Sequence, residues 1–200
     1  MTLISAEKCL ENISPESLKA LMKVFKGCIF PIGGATSCPF QDAIEARAFL
    51  FHYADNFYSY NPMFWNALSS AVLEIGDREI FEIDTTDGFY AKYTLDSDKP
   101  LPDLRGSGRA ICSLQGNWGI LFDIEGIGLI GGSTSFINNI RKNFPEIDNQ
   151  FSNLLTAWKS SGFTTDNEWL PDTLIHIFGE TKGKELLEEA RKMDVYKEGI

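Results

Sequence analysis

Residues 118–133 read WGILFDIEGIGLIGGS. Trp118 to Asp123 and Ile127 to Ile130 are two short apolar runs. The Ile124-Glu125-Gly126 turn between them is too short for anything but an antiparallel return. Gly131-Gly132 ends the second run, and Ser133 is placed to cap a helix whose apolar face is Phe136, Ile137 and Ile140. A strand pair feeding straight into a helix sets the pattern for the rest of the chain.

Working backward, Ala110 to Leu114 reads as a further strand, joined to Trp118 through Gln115-Gly116-Asn117. A loop rich in Pro and Gly, Asp96 to Gly108, separates it from a hairpin, Ile80 to Ile83 and Phe89 to Leu95, turning at Asp84 to Gly88. Before Glu79 the apolar spacing is helical. Ser14 and Pro15 start a helix with Leu18, Leu21, Met22 and Phe25 on one face, and Gly27 stops it. Ile44, Ala48 and Phe51, with Phe49, Tyr53 and Phe57, predict a second helix from Phe40 to Tyr58. Asn61-Pro62 opens a third, Met63 to about Leu73. Downstream, helices are predicted from Glu146 to Lys159, Asp172 to Phe178 and Thr181 to Met193. The expected fold class is α+β. A central antiparallel sheet of about five strands (78–131) is flanked by N-terminal helices (14–75) and C-terminal helices (133–194), in one domain over 1–200.

Bulk properties narrow the function. The 44% hydrophobic and 23% charged residues match an ordinary globular chain rather than a disordered one. The net charge is −10, and residues 61–130 hold most of the excess, with 11 acids against 5 bases. Such a field repels phosphate, which argues against nucleic-acid or anionic-membrane binding and favours a basic protein partner. The plainer alternative is that the charge serves solubility. No apolar run approaches the roughly 20 residues of a bilayer span. The first ten residues lack the pattern of a signal peptide, so a cytoplasmic location with reduced thiols is expected.

Cys38 is the best candidate nucleophile. It follows Gly33-Gly34 and precedes the predicted second helix, whose N-terminus would lower a thiol pKa. It needs a base, and the chain has only His52 and His176. His52 lies about 21 Å away along a continuous helix, so His176 is the one partner that tertiary folding might supply. The bland alternative is a buried structural thiol. Cys9, Cys28, Cys38 and Cys112 lack the paired spacing of zinc sites, and no metal or cofactor is expected. Gly126 to Ser133 leaves a strand and enters a helix, as a phosphate loop does. The Walker lysine is absent, and the dinucleotide glycine spacing fails by one position. The favoured reading there is a tight connection needing glycine freedom.

Glu82, Asp84, Asp87, Asp123 and Glu125 gather at or near the turns of the predicted sheet. Hairpin turns favour Asp and Gly for local reasons, and the same acids would also form a docking patch. Aromatics make up eight of the seventeen residues from Phe49 to Trp65. Phe49, Tyr53 and Phe57 form one stripe of the predicted helix, and Phe51 and Tyr58 another. Both are read as core, with an exposed partner anchor or a self-association surface as the alternative for one of them.

The run Trp118-Gly119-Ile120-Leu121-Phe122-Asp123, then Gly131-Gly132-Ser133, then Phe136-Ile137, resembles a pattern in small bacterial immunity proteins. These neutralise polymorphic or contact-delivered toxins. The resemblance covers about twenty residues. It implies a cytoplasmic, non-catalytic inhibitor that occludes the active site of one toxin domain. The expected contact residues are the acids at 82, 84, 87, 123 and 125, a choice that comes from charge and not from the family. The alternative is a cysteine-dependent hydrolase or transferase using Cys38 with His176.

Overall fold

The computed structural model describes residues 15–24, 38–51, 62–84, 90–95, 109–122, 127–162 and 168–197. Its elements are α1 (Pro15–Val24), β1 (Ala46–Phe51), α2 (Pro62–Glu74), β2 (Glu79–Asp84), β3 (Tyr90–Thr94), β4 (Arg109–Cys112), β5 (Trp118–Phe122), β6 (Ile127–Gly132), α3 (Thr134–Asn143), α4 (Gln150–Ser161), α5 (Trp169–Phe178) and α6 (Glu180–Lys192), with a 3₁₀ turn at Pro145–Asn149. The class is α+β. Every strand pairing is antiparallel, in the order β1-β6-β5-β4-β2-β3.

Among the described residues the sheet has six strands, because the helix predicted from Phe40 to Tyr58 does not form over its described part, 40–51. Residues 46–51 are strand β1 instead, paired with β6 from Ala46↔Gly132 to Phe51↔Ile127. The error has a physical cause. Both faces of β1 meet apolar neighbours, so Ala-Arg-Ala-Phe-Leu-Phe shows little alternation, and a short apolar run satisfies either period. Phe49 and Phe51 therefore share one face of a strand rather than dividing between two helical stripes. Phe49 is buried edge-on against Phe151, with ring centroids 5.4 Å apart, and Phe51 packs partly buried on the same core. Tyr53, Phe57, Tyr58 and Tyr60 lie outside the described residues, as do Ser14 and Gly27.

Side chains alternate across the sheet into two cores. Phe49, Phe81, Ile83, Ala110, Cys112, Leu121 and Leu129 face α4, α5 and α6. Ala48, Leu50, Ile80, Ile111, Ile120, Phe122 and Ile130 face α2 and α3, which contribute Phe64, Trp65, Leu68, Phe136 and Ile137. With helices on both faces, β5 and β6 are buried along their whole length. That is why their sequences run apolar without a polar face. Burying each Leu, Ile or Phe contributes about 1.5–3 kcal/mol before chain entropy is counted.

Gly131 and Gly132 belong to β6, and neither is needed for a left-handed backbone. They are needed for space on opposite faces. A Cβ on Gly131 would come within 2.8–2.9 Å of Ile44 and the Phe40 ring. One on Gly132 would come 2.7 Å from the Phe136 ring and 3.0 Å from Trp118 Cβ. The expectation of a tight connection needing glycine freedom is therefore corrected to one of close packing. Ser133 caps α3 as expected, its hydroxyl accepting from the Phe136 amide at 3.2 Å. The next amide, Thr134 N–H, donates to the Glu45 carboxylate at 3.0 Å, which holds that carboxyl below its usual range.

Candidate functional site

Two places gather the residues singled out in the sequence. The first is one end of the sheet. Asp84, the last residue of β2, pairs with Arg109, the first of β4, and Arg109 pairs with Phe122, the last of β5. Phe122 in turn pairs with Gly128 near the start of β6. The β2 and β5 ends, which precede the acidic stretches 84–87 and 123–125, are thus two strands apart at the same end of the sheet. Asp87, Asp123 and Glu125 lie outside the described residues.

Glu82 does not belong with them. It is fully buried (0% exposed) on the α2–α3 side of β2, and the Tyr93 hydroxyl donates to its carboxylate. In a strand covered on both faces, Glu82 shares its side with Ile80. It is an internal acid and drops out of any docking surface. A second internal acid, Asp77, escaped notice in the sequence because it sits in the turn after α2. Its carboxylate accepts from Trp118 Nε1 at 2.8 Å.

The second place is where the 38–45 segment crosses the α5 side of the sheet. Here the fold brings His176 of α5 to the segment that carries Cys38, which spacing alone left open. His176 Nε2 accepts from the Phe40 amide at 3.1 Å, and the Phe40 and His176 rings lie parallel with centroids 6.0 Å apart. Arg47 of β1 closes the cluster. Its Nη1 donates to the His176 carbonyl at 2.6 Å and its Nη2 to the Gln41 carbonyl at 3.0 Å, while Nη1 also lies 3.3 Å from His176 Nδ1. Arg47 was missed as a site residue because the predicted helix gave its direction no meaning.

The tautomer follows from these contacts. The Phe40 amide cannot turn away, and Arg47 already has a carbonyl acceptor. Nε2 therefore carries the lone pair and Nδ1 the proton. Burial first, and then the Arg47 charge, push the imidazole down to about 4, with Asp42 opposing. The lone pair that a general base would offer to a thiol is already committed to the Phe40 amide.

Cys38 is not activated. Burial and the Asp172 carboxylate raise its pKa, with only partial relief from Arg47. Its backbone is left-handed (φ 52°), costly by about 1–2 kcal/mol for a residue with a Cβ. The helix N-terminus expected to acidify it is absent, because turn and strand follow instead. With Cys9 and Cys28 replaced by serine, alkylation of Cys38 is expected to titrate above the ordinary thiol range. A midpoint at or below pH 7 would overturn that assignment. Cys112, buried in the sheet, is pushed up to about 12.

Among the described residues, no group of three or more His, Cys, Asp or Glu is gathered to hold a metal ion. No helix among them is long and apolar enough to cross a membrane. Of the glycines in the 126–133 stretch, Gly128, Gly131 and Gly132 sit inside the β6 ladder, with the space beside Gly131 and Gly132 filled, and Gly126 lies outside the described residues. Compared with known proteins, the chain matches no family model, no curated protein and no solved structure.

Proposed function

We propose that this protein is a non-catalytic inhibitor of the immunity kind, acting in the cytoplasm by covering the active site of a basic toxin domain. The observation that carries the reading is the register. Asp84 and the end of β5 lie at one end of the sheet, so the connections bearing Asp87, Asp123 and Glu125 begin there. A net charge of −10, most of it carried by residues 61–130, favours encounter with a basic surface and disfavours nucleic acid. The occupied lone pair of His176 and the raised pKa of Cys38 make the cysteine-dependent alternative the weaker one.

The test uses the tagged protein and its Asp84→Asn, Asp87→Asn, Asp123→Asn, Glu125→Gln variant as parallel baits in a lysate of the source cells, eluted by rising salt. The expected result is a basic protein held by the wild type, released as salt rises, and bound on the order of tenfold or more weakly by the variant. Equal retention of that partner by both baits at every salt concentration would sink the reading.

A further inference from the structure

We propose that the 38–45 segment is an acid-released strap, held across the sheet by neutral His176 and let go when the imidazole takes up a proton. The strap is an apolar cover with two polar ends. Phe40 and Ile44 are buried against the bare backbone of Gly131, and no larger residue fits beneath them. At one end the Phe40 amide is tied to His176 Nε2. At the other, Glu45 binds the first amide of α3.

The first tie exists only with a neutral ring. Protonation turns Nε2 from acceptor into donor, so N–H would face N–H across 3.1 Å. It also sets an imidazolium against the Arg47 guanidinium, whose Nη1 lies 3.3 Å from Nδ1. The charged groups acting on the ring are Arg47 from β1 and Asp42 from the strap itself. The Asp172 carboxylate acts on Cys38, and Cys38 on Arg47. Helix α6 packs on α5 through Gly183 against the backbone of Leu174 and Ile175. Asp42 opposes protonation's cost but is exposed, so Arg47 and burial dominate.

Opening the strap returns His176 toward its ordinary range. The closed form therefore keeps its full advantage above pH 6.5, loses it as pH falls through that value, and levels off near 4. The Glu45 tie stays charged through this window, because its carboxyl lies below the usual range. Allowing for solvent screening of a half-buried ring, closure weakens by about tenfold between pH 7 and pH 5.

The experiment is hydrogen exchange on the full chain at pH 7 and pH 5, corrected for intrinsic rates, with the β5 amides as internal reference. Protection of residues 38–45 is expected to fall about tenfold while β5 holds. In His176→Gln, whose Oε1 still accepts from the Phe40 amide but does not titrate, protection is expected to be flat with pH. Constant protection of the wild-type strap, loss shared equally with β5, or the same pH response in His176→Gln would each overturn the proposal. The wild-type comparison stands without any variant.

Discussion

Trp118→Phe is expected to destabilise the protein by about 2–4 kcal/mol, and Trp118→Ala by about 3–5 kcal/mol. Trp118 is fully buried at the start of β5, stacked on Phe136 with ring centroids 5.3 Å apart. Its indole N–H is the partner of the Asp77 carboxylate, which is itself only 7% exposed. Phenylalanine keeps most of the apolar contact but removes the donor, leaving an acid buried without that partner. Breaking one side of such a pair costs more than the pair adds. For a domain whose whole stability is about 5–15 kcal/mol, the alanine variant would be marginal. Urea unfolding checks it: the midpoint should drop with an unchanged slope. The Asp77→Ala, Trp118→Phe double variant should lose less than the two single losses added together. Full additivity would mean that the hydrogen bond contributes nothing.

Gly183→Ala is expected to destabilise by about 1–3 kcal/mol, against the local rule. Alanine inside a helix normally gains about 1 kcal/mol over glycine. Gly183, however, is where α6 crosses α5. A Cβ there would meet Ile175 N and Leu174 C at 2.8 Å and Ile175 Cα at 2.9 Å. All three are backbone atoms, so no side chain can swing aside, and the two helices would have to part. Parting them would loosen Leu186, Leu187 and Ala190 from the core they share with Leu170 and Leu174. Thermal or urea unfolding of the variant decides the sign. A gain in stability would show that the helices yield freely.

Residues 118–140 needed little tertiary information: turn length and the Ser133 cap predict two antiparallel strands and a helix, and β5, β6 and α3 fall there, with β6 running on through the Gly131-Gly132 expected to end it. Helices α2, α5 and α6 were found from apolar spacing, with ends differing by a few residues. The 146–159 helix begins instead with a 3₁₀ turn through Pro145–Asn149, because proline suits a tight first turn.

What failed was every reading that depended on what lies across from a residue. Residues 46–51 carry a period compatible with helix and strand alike, and pairing with β6 decided between them. Glu82 has the composition of a surface acid, and only the layer of helices above β2 makes it internal. Gly131 and Gly132 read in the sequence as a connection needing glycine freedom, yet the neighbour that crowds Gly131 is Phe40, 91 residues away in the chain. Cys38 and His176 were named as a pair, but which atom meets His176 was settled by the Phe40 amide and by Arg47.

The sequence by itself determined the α+β class, the antiparallel pairing of neighbouring strands, the Ser133 cap and the acidic balance, since each rests on spacing or composition within a few residues. The tertiary structure alone decided the sixth strand, the burial of Glu82 and Asp77, and the hold of His176 on the 38–45 segment. Those depend on contacts between distant residues, whose free energy is set by what packs opposite and not by the local pattern.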